Sequence, residues 1–216
     1  MVNILSEGSS VVNQFIAELR DAEIQKDSLR FRLNLERLGE IFAYEISKTL
    51  EYEEKEVATQ LGSALVPVLK DYPVLVSVMR AGLPFHSGFL KVFDRSESGF
   101  ISAYRRPHKD FSLTLQAGYS SIPVLDGHVL ILSDTLVATG SSMLMAYREL
   151  QGHGKPRHVH VATILTSQEG LDKIRRHLPG DNITYWVGVI DEELTAQSFI
   201  VPGLGDAGDL AYGRIG

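Results

Sequence analysis

Three runs of residues in this chain could do chemistry. The first is Ser133-Asp134-Thr135-Leu136-Val137-Ala138-Thr139-Gly140-Ser141-Ser142. An apolar run, Leu130-Ile131-Leu132, feeds into it, and a helical pattern leaves it from Met143. At a helix start the first N–H groups lack partners and the dipole is positive, so a phosphate fits there. Thr139, Ser141 and Ser142 can add hydroxyl donors. Asp134 cannot bind a phosphate, but its carboxylate can accept hydrogen bonds from sugar hydroxyls. The plainer alternative is that Thr139 or Ser141 only caps the helix.

The second run is the tail, Phe199-Ile200-Val201-Pro202-Gly203-Leu204-Gly205-Asp206-Ala207-Gly208-Asp209. Gly203-x-Gly205-x-x-Gly208 spells a dinucleotide-binding fingerprint, but that motif must open a helix inside a βαβ unit. Only eight residues follow Gly208, so the sequence predicts neither a helix nor a further strand there. Glycines can instead let backbone approach a flat ligand closely. A pyrimidine edge alternates acceptors and N–H donors, which backbone amides and carbonyls can match. A plain surface turn is the alternative.

The third feature is a pair of arginines. Arg80 follows an apolar run and precedes Ala81-Gly82. There it could hold a phosphate or pyrophosphate bidentately, or form a surface salt bridge. Arg105 is followed by Arg106, His108 and Lys109, either a cationic binding loop or a solvated one. The histidines show no metal-ligand spacing, and His158 and His160, two apart on one strand face, read as structural or surface groups.

These groups need a scaffold. Val74–Met79, Phe100–Tyr104, Val129–Leu132, Val159–Leu165 and Ile183–Ile190 read as strands. Residues 83–93, 140–151 and 168–177 read as helices between them. Alternating strands and helices predict an α/β fold with a mainly parallel sheet flanked by helices. Ligands in such sheets bind beyond the carboxyl ends of the strands, which points to loops starting at 80, 105, 134 and 166. Residues 111–117 alternate apolar and polar and suggest a strand in a small hairpin, or hood. The chain up to about residue 70 reads as helical, from the spacing of Phe31, Leu35, Leu38, Ile41, Phe42, Ile46 and Leu50. The acidic stretch Glu51 to Glu56 then reads as a solvated helix end or turn. One domain spanning 1–216 is expected.

Composition narrows the function. A net charge of −6 argues against a nucleic-acid partner, which needs a broad basic face. The absence of cysteine removes disulfides, thiolate catalysis and Cys-ligated zinc. No apolar run approaches the ~20 residues that span a bilayer, so no membrane partner is expected. The first 20 residues lack the apolar core of a signal peptide, and the expected location is the cytoplasm.

All of these motifs carry a family resemblance. Asp134-x-x-x-Ala138-Thr139-Gly140-x-Ser142 resembles the loop of type I phosphoribosyltransferases that binds phosphoribosyl pyrophosphate (PRPP). Ile200-Val201-Pro202-Gly203-Leu204-Gly205-Asp206-Ala207-Gly208-Asp209 is nearly letter for letter similar to the uracil-binding segment of uracil phosphoribosyltransferases. Met79-Arg80-Ala81-Gly82-Leu83 and Tyr104-Arg105 resemble that family's PRPP-contacting segments. The similarity runs in order from about residue 29 to the end.

The resemblance implies transfer of a 5-phosphoribosyl group from PRPP to uracil, with Mg²⁺ on PRPP and a homodimer or higher homo-oligomer. It implies PRPP contacts from Arg80, Arg105, Asp134, Thr135, Leu136, Val137, Ala138, Thr139, Gly140, Ser141, Ser142 and Asp206. Uracil would be read by Ile200, Gly205, Asp206 and Ala207. Asp134, Arg80, Arg105 and Asp206 would carry the chemistry, and no protein group is assigned as a direct metal ligand, although Asp206 could reach the metal through water. The chain departs from the family in four places. Thr135 replaces a proline, Ser141 a glycine, and Leu210 a basic residue, while Arg106 to Asp110 exchanges acidic residues for basic ones. A phosphoribosyltransferase for another base, or a non-catalytic PRPP- or nucleotide-binding regulator, stays open at this point.

Overall fold

The structure, a computed structural model, describes residues 1–107, 113–178 and 180–214, without the side chains of 103–107 and 113–117. The chain opens with a three-residue strand, β1 (Val2–Ile4), which the sequence pattern did not flag. Helix α1 (Val11–Arg20) starts at Ser10, whose side chain and that of Asn13 form a capping box. Helix α2 (Ser28–Ser47) starts at Asp27, whose carboxylate accepts from the N–H groups of Leu29 and Arg30.

The helical expectation for residues 51–70 fails. They form an antiparallel hairpin, β2 (Tyr52–Thr59) and β3 (Gly62–Leu69), pairing Tyr52 with Leu69 and Thr59 with Gly62. Glu51 to Glu56 therefore leads into a strand and runs along it. Strand β2 is exposed throughout, and β3 is exposed except at its last two residues. The ladder rather than a buried face holds them, so no apolar alternation marked the hairpin.

From residue 74 the expected alternation appears: β4 (Val74–Met79), α3 (Gly82–Val92), β5 (Ser98–Pro107), β6 (Leu113–Ser121), β7 (Val129–Val137), α4 (Ser141–Leu150), β8 (His158–Ser167), α5 (Gln168–His177) and β9 (Ile183–Asp191). The seven-stranded sheet runs β1-β9-β8-β7-β4-β5-β6. Every neighbouring pair is parallel except β5 with β6, the expected hairpin. His108, Lys109 and Asp110, along with 111–112 of the predicted strand, lie outside the described residues. The chain ends with β10 (Glu193–Leu194), β11 (Ile200–Val201) and α6 (Ala207–Tyr212).

Helix α6 corrects the expectation that no helix fits behind the glycine-rich tail. Six residues suffice because it begins at Ala207, before Gly208, with Asp206 as its N-cap. No strand follows it among the described residues, so the βαβ unit that a dinucleotide site requires is still missing.

Each sheet strand feeds both faces, as pleating requires. Leu75 and Ile131 pack with Phe31, Leu35 and Phe42 of α2 and with Phe85 and Phe89 of α3. Val74, Val76, Leu130 and Leu132 pack with Met143 and Leu150 of α4 and Ile174 of α5. The two layers fix the end of β4, which Arg80 follows, and the strand β7 that carries Asp134. No helix among the described residues is long and apolar enough to cross a membrane.

Candidate active site

The loop expected from residue 134 begins four residues later. Strand β7 continues to Val137 because Asp134, Leu136 and Val137 pair with Thr163, Leu165 and Thr166 of β8. The polar residues hide this extension, and each is satisfied differently. Thr135 is buried, and its hydroxyl donates to the Ala81 carbonyl at 2.7 Å. Asp134 points to the opposite face, toward the cavity that Leu136 and Ala138 also line.

Asp134 is 9 % exposed, and burial pushes its carboxyl up to about 7. The N–H groups of Thr135 and Leu136 pull the other way without overcoming it. This side chain accepts readily from a donor such as a ribose hydroxyl once ionised.

The turn between β7 and α4 is Ala138-Thr139-Gly140. Gly140 adopts φ 74° as the N-cap of α4 and makes no side-chain cap bond. A Cβ there would come within 2.9 Å of both the Gly170 carbonyl oxygen and Ile174 Cγ2. Only glycine suits both the conformation and the approach of α5. The hydroxyls do little capping, since Ser141 N–H reaches Thr139 Oγ1 only at 3.5 Å. Leu144 N–H finds Gly140 O at 3.0 Å, which leaves the earlier N–H groups of the turn for an anion. A hollow of about 100 Å³, lined by Leu136 to Met143 and by Ser198, opens in front of them.

Beside it lies a cavity of about 520 Å³ that joins the distant motifs. Arg80, Asp134, Ser142, Ile200, Gly205, Asp206 and Ala207 all line it. Arg80 leaves the β4 end and donates to Asp209 Oδ1 at 3.2 Å and to the Gly213 carbonyl at 3.1 Å. Gly205 takes φ 91°, presenting backbone rather than side chain. Asp206 accepts from Asp209 N–H at 2.9 Å. Arg105 lies on β5, but its side chain is outside the described part.

Several lining residues were not singled out from sequence. Gln197 and Ser198 line the cavity just before the tail, and Ser198 stands at φ 66°. The tail itself is anchored by Asp191, which accepts from Arg20 and from Gly203 N–H. Lys173 of α5 reaches Ser141. None of these contacts leaves a local sequence signal.

Of the two β8 histidines, His158 is half-buried and bonds Thr184 Oγ1 at 3.0 Å. His160 is buried, and its Nδ1 accepts from Trp186 Nε1 at 3.0 Å. Burial holds its ring down to about 3, so it stays neutral. No group of three or more His, Asp or Glu among the described residues could hold a metal ion. A second hollow of about 440 Å³, lined by Leu130, Tyr147, Leu150 and Lys155, brings no opposed charges together.

The chain is similar to known proteins along nearly its whole length. A family model described as uracil phosphoribosyltransferase matches residues 7–214. The uracil phosphoribosyltransferase of Porphyromonas gingivalis is 49% identical over 205 residues, covering 95% of this chain and 94% of its own. That of Pyrococcus furiosus is 35% identical over 211 residues, covering 96% and 88%. A solved structure of an Aquifex aeolicus protein superposes with TM-score 0.86 at 30% identity, covering 99% of this chain and 98% of the other.

Proposed function

The chain belongs to the uracil phosphoribosyltransferase family, and from that premise we propose how its residues divide the work of making UMP from uracil and PRPP. The observation that carries the proposal is that Asp134, in the last half of β7, and the tail residues Ile200, Gly205 and Ala207 line one cavity.

The 5′-phosphate sits in the small hollow, against the first N–H groups of α4 and the Ser142 hydroxyl, with Thr139 beside it donating to Ser141 Oγ. Thr135 contributes through its backbone, since its hydroxyl is committed to Ala81. Leu136, Val137, Ala138 and Gly140 shape the hollow. Asp134, once ionised, accepts from the ribose hydroxyls. The Ile200, Gly205 and Ala207 backbone reads the uracil edge. The bond from C1′ to the pyrophosphate oxygen breaks and the bond from the base nitrogen to C1′ forms. The nitrogen's proton passes to solvent or to the departing pyrophosphate. Arg80 leaves Asp209 and Gly213 to meet that pyrophosphate, joined by Arg105. Catalysis is positioning plus charge stabilisation.

Mg²⁺ fits this donor set as a ligand of PRPP rather than of a protein cage. Asp134 and Asp206 are the carboxylates on the cavity wall, and Mg²⁺ keeps most of its waters with one or two carboxylates. When bound it neutralises pyrophosphate charge. A homo-oligomer also belongs to this reading, and the hairpin β2–β3 supports it by leaving Leu61 and Leu65 in solvent.

The test is stoichiometry. Uracil and PRPP with Mg²⁺ should yield one pyrophosphate per UMP. Pyrophosphate release without UMP would reduce the activity to PRPP hydrolysis and overturn the base-transfer assignment.

A further inference from the structure

A lysine stands behind the phosphate loop without a carboxylate of its own. Lys173 lies on α5, one turn beyond Gly170, the residue against which Gly140 packs. Its ammonium donates to Ser141 Oγ at 2.9 Å. Among the described residues it forms no ion pair. The side chain is half-buried, so its charge is less screened than that of a surface lysine.

The geometry orients Ser141. An ammonium has donors only, so in this pair the serine oxygen must accept. Thr139 Oγ1 donates to the same oxygen at 3.1 Å. With both acceptor positions filled, the Ser141 O–H proton is left to point away from Lys173 and Thr139. Ser141 lines the 100 Å³ hollow, whereas Lys173 stands behind the serine and is not on the hollow's wall.

We infer that Lys173 is a positioning residue for the 5′-phosphate, acting through Ser141, whose hydroxyl it turns into a donor aimed at the phosphate. The inference rests on placing the 5′-phosphate in this hollow. It gives the serine that replaces the family's glycine a function, and supplies from α5 a positive charge that the loop itself lacks.

Titration calorimetry with UMP, ribose 5-phosphate, uridine and pyrophosphate tests it on the full chain. Lys173→Met should weaken UMP and ribose 5-phosphate roughly tenfold, the scale of one charge-assisted hydrogen bond. Uridine and pyrophosphate should bind as before, and the KM for PRPP should rise with little change in kcat. Lys173→Arg should restore most of the affinity. In a Ser141→Gly background the Lys173→Met effect should shrink to less than about threefold, the signature of coupled residues. Unchanged UMP affinity in Lys173→Met, or equal weakening of uridine, would overturn the inference. A full effect persisting without Ser141 would overturn the route through the serine. A wild-type protein that binds ribose 5-phosphate but forms no UMP separates failure of the functional reading from failure of this one. A wild type that binds neither ligand overturns both.

Discussion

Arg20 and Asp191 lie 171 positions apart and meet through two 2.8 Å hydrogen bonds, with the same carboxylate accepting from Gly203 N–H at 2.9 Å. Arg20 also donates to the Gly203 carbonyl at 3.0 Å. The first long helix of the fold thereby grips the turn that starts the glycine-rich tail. Asp191 is buried and Arg20 only partly exposed. Asp191→Ala strands a half-buried guanidinium and should cost about 2–3 kcal/mol in chemical unfolding. The KM for uracil should rise about tenfold while that for PRPP moves little, since the phosphate loop is untouched. Equal changes in both would locate the damage elsewhere.

Asp134 gives the enzyme a pH signature. Its carboxyl is pushed up to about 7 by burial, and the proposed acceptor is the ionised form. The free-enzyme profile of kcat/KM should therefore fall about tenfold per unit below about pH 7 and level off above it. Asp134→Asn should lower activity and flatten that limb. The linkage runs the opposite way for stability. An acid whose folded pKa is raised favours the fold most below its unfolded value, and that contribution fades as pH rises toward 7. Asp134→Asn should remove this decline in unfolding free energy between about pH 4 and 7.

Thr135 separates structure from binding. Its hydroxyl serves the Ala81 carbonyl at 2.7 Å from a fully buried position. Thr135→Val keeps the shape and orphans that carbonyl, so unfolding should become easier by about 1–2 kcal/mol. The KM for PRPP should stay within about twofold, because the hydroxyl is turned away from the cavity toward Ala81. A KM shift without a stability loss would place the hydroxyl at the substrate instead.

Gly140 has no substitute. Alanine would meet the left-handed φ of 74° and the Gly170 carbonyl together. Gly140→Ala should destabilise the fold by about 2 kcal/mol or more and raise the KM for PRPP, read by thermal melts alongside initial rates. A melt unchanged from wild type would show that α5 can retreat from the loop.

Legibility in the sequence followed burial. Strands β4, β7, β8 and β9 are packed on both faces and each carries a mainly apolar run, which in β7 covers only the first half. Hairpin β2–β3 has almost no buried face to imprint a period on its sequence, and its acidic residues imitated a helix end. The far half of β7 was misread as loop because Asp134 and Thr135 are polar, although one is buried at the cavity and the other bonded to Ala81. The glycine tail and the strand–turn–helix stood out by composition and pattern, and both line the cavities described above. Lys173 lies 32 positions from Ser141, and Arg20 farther still from Asp191. Contacts of that kind arise from packing α1 against α2 and α5 against the sheet, and no local pattern encodes them.

The most direct test of the central claim is a competition among bases. PRPP and Mg²⁺ are supplied with uracil, cytosine, hypoxanthine and orotate together at equal concentration, and the products are separated by mass. If the tail reads the uracil edge, UMP should be the dominant nucleotide by roughly a hundredfold or more, as expected of a site built to match hydrogen-bonding groups. A mixture of nucleotides, or one led by another base, would contradict the account.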